Sequence, residues 1–522
     1  MNRRTAWIEC LALALCLCAL LWGQCALAAG DKAGDITKKC SIKVSEGTKS
    51  KLTDGDVRTT WSYDHTGAYV GIKLPKGVEA GWLRVEWMFD PTGYELVEFD
   101  SSMNQLRQRD QSCTFPNIYS MYELLPETKY VKLELHRKDQ KIASLRVYDA
   151  GTLSKDIQMW EPPVDKADLM VVSAHEDDEL IFFGGTIPYY NTALKKSVEV
   201  VYMCNCSRNR RRESLEGLWV TGMTNYPDFI NLPDDKADTL DQVYELWGGK
   251  DHIVSLLVQR IRHYKPEVIV THDLNGEYGH RQHMATARAM LPAIEAAADP
   301  TRYPETAEIY GTWQVKKLYH HLSDENTIMM DWETKLDSLN GYSPLQVAQL
   351  AFKKHSSQDK YYNVKSHSKF DNAKFGLHFT TVGEDVEKKD FLENIDPDAS
   401  AKYVAEHTEE IAAYPRWLDL EDDGDSDAAV GTGEEPEDVA EDMSDIPIQP
   451  SDSETFATAQ PEAAPQPEAT AQPAARPKSA GKGSTVLAVA MIALGLAAVG
   501  AGGWYAWRML GGAPRHGKRR RR

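Results

Sequence analysis

The sequence predicts an antiparallel β-sandwich followed by an α/β domain built on a parallel sheet, with a polar linker and one apolar helix behind them. Three observations carry this. Between about residues 36 and 150, short segments alternate apolar and polar residues, as in Tyr69-Val-Gly-Ile-Lys-Leu, Trp82-Leu-Arg-Val-Glu-Trp and Tyr130-Val-Lys-Leu-Glu-Leu. That alternation belongs to half-buried antiparallel strands. From 163 to 396, short wholly apolar runs alternate with helical stretches, the grammar of a parallel sheet covered by helices on both faces. After Glu421 the composition turns acidic, then rich in Pro, Ala and Gln, and finally apolar without charge from Thr485 to Trp507.

The elements follow in order. Arg3 and Arg4, the apolar run Leu11 to Leu21 and the small residues Ala26-Leu27-Ala28 predict a signal peptide over 1–28. Export implies an oxidising setting. Of the eight cysteines, four leave with the signal, and Cys40, Cys113, Cys204 and Cys206 remain. A Cys40–Cys113 pair fits within the sandwich, and Cys204-x-Cys206 is read as a pair of strand-end thiols rather than a metal site. Trp61, Trp82 and Trp87 in the sandwich are read more as core than as sugar-stacking platforms. Removal of the sandwich is expected to leave hydrolysis of small substrates intact.

In the α/β region, strands are predicted at 168–174, 198–204, 267–272 and 316–322. Helices are predicted at 210–222, at 253–264 before Pro266, and from about His280. Paired His320 and His321 lie in a strand, one expected to point in and the other out, and are read as structural.

Two stretches carry chemistry. Leu169-Met-Val-Val-Ser-Ala-His175 runs straight into Glu176, Asp177, Asp178 and Glu179. Four adjacent acids repel one another unless a cation or hydrogen-bond donors balance them. The cluster falls beyond the carboxyl end of a predicted strand, where ligands bind in open α/β sheets. An imidazole and a carboxylate a few residues apart suit zinc, whose catalytic sites take three protein ligands, while a neighbouring carboxylate serves as base. The second stretch, Val268-Ile-Val-Thr-His-Asp-Leu-Asn-Gly-Glu-Tyr-Gly-His-Arg-Gln-His283, repeats that grammar. If a helix starts near His280, the spacing of His280 and His283 puts both imidazoles on one face.

Ala174-His-Glu-Asp-Asp-Glu with Gly184-Gly185 downstream resembles the A-H-P-D-D-E signature of the PIG-L family of zinc-dependent N-acetylglucosaminyl deacetylases. Tyr278-Gly-His-Arg-Gln-His resembles that family's G-H-x-D-H motif. The resemblance covers roughly 166 to 395 and implies a Rossmann-like sheet. It implies zinc held by His175, Asp178 and His283, with Asp177 as general base and His280 and Tyr278 facing the oxyanion. Arg210 and Glu213, spaced R-x-x-E, match a family pattern near the pocket and make Arg210 the candidate for contacting substrate. Phe352-Lys-Lys-His-Ser-Ser-Gln358 is similar to the family's late H-x-S-Q stretch, which makes His355 either a residue bordering the site or, equally, a hydrogen-bonded core or surface histidine. This chain departs from the pattern at Glu176, where the family has Pro, and at Gln282, where it has Asp. The first changes backbone stiffness; the second removes a charge one layer out from the metal, which tunes such a site. In the sandwich, Leu52-Thr-Asp-Gly-Asp, Thr59-Thr60-Trp61 and Leu145-Arg-Val-Tyr resemble galactose-binding-like, discoidin-type jelly rolls.

The linker, 421–483, begins with fourteen acids between Glu421 and Glu454 and no Lys or Arg; subtracting them from the net charge of −19 leaves −5. The charge bias thus says little about the enzyme's partner. Such a segment cannot bury a core and is expected to be disordered. The 23 residues of 485–507 suffice to cross a ~30 Å hydrocarbon core. Arg508, Lys518 and Arg519 to Arg522 predict a cytoplasmic tail, 508–522, and an extracellular ectodomain on a single-pass anchor. Beside a membrane span, the basic tail is read as topology rather than nucleic-acid binding. The expected function is zinc-dependent removal of the N-acetyl group from an N-acetylglucosamine-type amino sugar or glycan at the cell surface. The alternatives are an inactive glycan-binding surface protein, or a hydrolase of another amide-linked amino-sugar conjugate.

Overall fold

The computed structural model describes residues 32–414, apart from 92, 111–114, 116 and 139. The expected signal peptide, linker, apolar span, basic tail and Cys113 lie outside the described residues. Among the described residues no helix is long and apolar enough to cross a membrane.

The sandwich consists of β1 (Ser41–Val44), β2 (Ala68–Lys73), β3 (Ala80–Trp87), β4 (Tyr94–Phe99), β5 (Gln105–Asp110), β6 (Tyr119–Glu123), β7 (Tyr130–Leu135) and β8 (Ile142–Asp149). They form two antiparallel sheets, β1-β2-β7-β4-β5 and β6-β3-β8. In β2 the apolar residues Ala68, Val70 and Ile72 are buried while alternate residues are not, because successive side chains leave opposite faces. Trp61 and Trp87 are fully buried and donate to Glu46 O and Ser120 Oγ at 2.9 Å, so both are core residues, and Trp82 is half-buried.

The second sheet runs β11 (Asp228–Pro233), β10 (Val198–Asn205), β9 (Leu169–Ser173), β12 (Val268–Thr271), β13 (Lys317–His321), β15 (Lys374–Thr380), β14 (Thr327–Met329). The first five are parallel. The expectation of a wholly parallel sheet is corrected at one edge, where β15 and β14 run antiparallel. The four predicted strands lie within a residue of their expected ends, because each is buried along nearly its whole length. Along β9, Leu169 and Val171 enter one hydrophobic cluster and Met170 and Val172 the other, so helices cover both faces. For the same reason His320 and His321 are both fully buried, and neither points out.

The helices that matter for the site are α1 (Asp178–Ile181), α2 (Arg208–Thr221), α3 (Leu240–Leu246), α4 (Lys250–Tyr264) and α5 (Arg281–Ala298). Ser207 caps α2 by accepting from Arg210 N, and Gly222, at φ 88°, ends it. The chain leaves β9 towards β10 and β11, then returns to β12 on β9's other side. This makes β9/β12 the switch point at which α/β sheets open a crevice at their carboxyl ends.

The sandwich is not a detachable appendage, contrary to expectation. Phe115, Ile118 and Tyr119 join the same buried cluster as Tyr226, Phe229 and Trp160 of the α/β domain. Arg212 pairs with Glu86 at 2.7 Å and Arg211 with Asp90 at 3.2 Å. Removal of the sandwich would uncover that apolar surface and strip partners from α2.

Candidate metal centre and its surroundings

His175 and Asp178 sit beyond the end of β9, Asp178 being the first residue of α1, and His283 lies in the first turn of α5. They converge at the switch point. His175 Nδ1 lies 2.9 Å from Asp178 Oδ2 and 3.1 Å from His283 Nε2, and His283 Nε2 lies 3.1 Å from Asp178 Oδ2. Three potential ligand atoms thus form a near-equilateral triangle inside the protein, all within reach of one central cation. The separations of 2.9–3.1 Å are shorter than the ~3.3–3.6 Å edges of a tetrahedron drawn with zinc–ligand bonds of ~2.0–2.2 Å, so the three side chains would open slightly to admit the ion.

The hydrogen bonds fix the tautomers that this requires. His175 Nε2–H donates to Gln282 Oε1 at 2.8 Å, leaving Nδ1 free. His283 Nδ1–H donates to Glu277 Oε2 at 2.7 Å, leaving Nε2 free. His272 Nε2 accepts from Ala174 N at 2.9 Å, so its proton is on Nδ1, which donates to Glu277 Oε1 at 3.1 Å. His321 Nδ1 reaches the same oxygen at 3.0 Å. One buried carboxylate, Glu277, therefore orients three imidazoles.

Glu277 has φ 56°, and Gly276 before it has φ 68° with a Cβ position 2.3 Å from His280 O, so only glycine fits there. This left-handed turn folds Glu277 back under the helix it precedes. The sequence motif contains Glu277 and His272, but its spacing gave neither a role. A glutamate directly after a loop glycine and beside a pair of histidines was the available signal. Gln282 sits one layer behind His175 and supplies a neutral acceptor to its Nε2, while a charge still reaches that nitrogen from Asp234 Oδ1 at 3.4 Å.

The electrostatics agree with a cation site. Burial pulls His283 down, but Asp178 and Glu277 outweigh it and hold its imidazole up at about 9. Burial would raise Asp178, yet His283 and His175 keep it well below the usual carboxylate range. A proton thus occupies the position a metal would take. Burial lowers His175 too, but Asp178 and Asp234 outweigh it and hold it well above its ordinary range. Below about pH 9 zinc must therefore displace a proton from each imidazole, and its affinity should fall by at least about tenfold per unit as pH drops. Zinc titrations at pH 6, 7 and 8 in buffers of different ionisation heat would measure both the affinity and the proton released. A pH-independent affinity with no proton release would contradict this assignment.

Asp177 is almost fully buried beside the triangle. Arg210 Nη2 donates to its Oδ1 at 2.6 Å, and burial pushes its carboxyl up against the opposing effect of Arg210. The predicted substrate contact Arg210 therefore has one edge committed to Asp177, while its buried Nε has no hydrogen-bond partner. Glu213, its R-x-x-E partner, accepts from Ser356 Oγ at 2.7 Å and from Ser357 N and Oγ at 3.0 and 2.6 Å, pinning the late loop to α2. In that loop His355 is buried against Phe352 and Gly217, and burial pushes it down to about 3.

His280 is the N-cap residue of α5. Burial, then His283 and His175, hold it well below its ordinary range, so it is neutral, and its buried Nδ1 has no hydrogen-bond partner. Tyr278 packs on His280, His283 and Phe182 with ring centroids 5.7–6.3 Å apart, and burial keeps its phenol protonated. All seven candidate residues thus meet in one cluster of contacting side chains. Across the His175 ring lie Cys204 and Asp234, each with an atom within 4.8 Å of the imidazole, and burial pushes the Cys204 thiol up to about 12. Glu176, the residue in place of proline, is wholly buried with Arg211 Nε 3.8 Å away; burial pushes it up to about 7.

The family description "PIG-L: GlcNAc-PI de-N-acetylase" matches residues 170–294. Over this stretch the chain is similar to the PIG-L family. The chain is 26% identical over 189 residues to a 1D-myo-inositol 2-acetamido-2-deoxy-alpha-D-glucopyranoside deacetylase of Catenulispora acidiphila, covering 31% of this chain and 57% of that protein. It is 30% identical over 184 residues to the mycothiol S-conjugate amidase of Streptomyces coelicolor, covering 30% and 61%. The chain thus spans about three fifths of the length of these relatives. Among solved structures, the N,N'-diacetylchitobiose deacetylase of Pyrococcus horikoshii aligns over 38% of this chain and 72% of that one, at 17% identity and a TM-score of 0.29. The PIG-L match spans β9 to β12 and most of α5, the segments that bring His175, Asp178 and His283 together.

Proposed function

We propose that this protein is a zinc-dependent amide hydrolase that removes the N-acetyl group from an N-acetylglucosamine-type amino sugar or glycan. The observation that carries the reading is the triangle of His175 Nδ1, Asp178 Oδ2 and His283 Nε2 with Asp177 buried beside it. A zinc ion held by those three residues would polarise an amide carbonyl and acidify water. Asp177 takes the proton from the attacking water and returns it to the leaving amine. Arg210, paired with Asp177, aims that carboxylate. Neutral His280 and protonated Tyr278 donate to the carbonyl oxygen as it gains negative charge. Arg210 Nε remains available to a sugar oxygen. The segments at 1–28 and 485–507 support an ectodomain outside the cell on a single-pass anchor with a cytoplasmic tail.

The test is zinc content beside acetate release from N-acetylglucosamine oligomers. Stoichiometric zinc with acetate release is expected. A zinc-loaded protein that bound the oligomers and released no acetate would instead support the glycan-binding alternative. Release only from an amide-linked thiol conjugate would point to the chemistry named for the amidase relative.

A further inference from the structure

A second cavity, of about 530 Å³, lies between the sandwich sheet β6-β3-β8 and α2. That volume is within the ~300–1,000 Å³ of small-molecule sites. Arg84, Arg146, Lys155, Arg212 and Lys354 face three carboxylates in its lining, in a chain whose overall charge is strongly negative. Two of these cations are paired: Arg212 with Glu86 at 2.7 Å, and Arg146 with Asp35 at 3.0 Å. Arg84, Lys155 and Lys354 have no ion-pair partner within 4.0 Å among the described residues, which concentrates unbalanced positive charge in the cavity.

The Arg84 guanidinium stacks over the Tyr119 ring, 4.7 Å from its centroid, and its Nε is buried without a hydrogen-bond partner. Stacking and a hydrogen bond to the Tyr148 side chain hold the planar fork in one orientation, with its remaining N–H groups ready for an anion. Trp219 also lines the cavity, half-buried, and its Nε1 donates to Lys155 O at 2.9 Å, fixing the segment that carries Lys155. An indole face beside cations suits a sugar ring bearing a carboxylate. Helix α2 connects this cavity to the metal centre: it presents Arg212 and Trp219 to the cavity and Arg210 to Asp177.

We propose that this cavity binds the uronic-acid residues of an anionic glycan, making the substrate a polymer that carries both carboxylate sugars and N-acetylated amino sugars. This deepens the proposed function and rests on it for the word substrate, while the binding site stands on its own geometry.

The test compares two hexasaccharides by calorimetry on the full chain, treated with chelator so that turnover does not intervene. One is hyaluronan, which alternates glucuronic acid with N-acetylglucosamine; the other is neutral chitin. Hyaluronan should bind at least about tenfold more tightly, the effect of a charge-assisted hydrogen-bonded pair. R84A and K354A should each remove most of that preference while thermal melting and metal content stay unchanged, and R84K should not restore it, because lysine lacks the planar fork. Equal binding of the two oligosaccharides, or a preference unaltered in both alanine variants, would overturn the proposal. Hyaluronan binding without acetate release from either hyaluronan or N-acetylglucosamine oligomers in the metal-loaded protein would defeat the proposed hydrolase and leave the anionic-glycan site standing; release from the oligomers alone would overturn the anionic polymer as substrate.

Discussion

Asp177→Asn is expected to retain zinc and to lose activity by the contribution of a general base, about 10²–10⁴-fold. Asparagine has nearly the same shape as aspartate, and its amide oxygen still accepts the hydrogen bond from Arg210 that the carboxylate takes at 2.6 Å. The buried Arg210 loses its counter-charge but not its partner, so the fold and the metal centre should survive. Asp178→Asn should do the reverse. Asp178 Oδ2 is shared by the His175 ring, the His175 backbone N–H and the His283 ring. A neutral oxygen there cannot balance those donors or hold a dication as strongly, so zinc should be lost first and activity with it. Metal content measured beside kcat for both variants decides the matter. An Asp177→Asn protein without metal, beside an Asp178→Asn protein with a full site, would exchange the two roles. Two variants that kept both zinc and full activity would require another base.

Glu277→Gln should weaken zinc binding about 10–100-fold without touching a metal ligand, the usual cost of removing a partner that orients one. Glu277 is fully buried and accepts from His272, His283 and His321 at 3.1, 2.7 and 3.0 Å. A glutamine would set an NH₂ group against at least one of these ring N–H groups and remove the charge that holds His283 in its ligating tautomer. His283→Ala, by contrast, should empty the site and abolish activity together, because it deletes a ligand. Zinc affinity by competition with a chelating dye separates the two outcomes, and thermal melting reports whether the buried imidazole cluster has loosened. Unchanged zinc affinity in Glu277→Gln would mean that α5 alone positions His283.

Part of this could be read directly from the chain. Strands β9 and β12 open with apolar runs of four and three residues before Ser173 and Thr271, and such a run on consecutive strand positions is buried on both faces. Helix α2 is bounded by Ser207 and Gly222, residues whose side chain, or lack of one, ends a helix. His175, Asp177, Asp178, His280 and His283 occur in two short stretches whose local spacing resembles a known motif. The antiparallel edge β15–β14 was not legible, because strand direction depends on how a connection crosses the sheet and leaves no mark on the residues themselves. The contact between sandwich and α/β domain was equally hidden: Glu86 and Arg212 are 126 positions apart, and each resembles an ordinary surface charge.

The sequence alone determined the order of the described structural classes and the strands of the sheet, since these follow from local periodicity, and its resemblance to a family pointed to the candidate metal ligands. The tertiary structure decided which residues orient those donors. Glu277 gathers imidazoles from the end of β12, from α5 and from β13, and Arg210 crosses from α2 to clamp Asp177 beyond β9. Hydrogen bonds of this kind join segments that only the folded sheet brings together at its carboxyl edge, and no spacing within either partner's own segment encodes them.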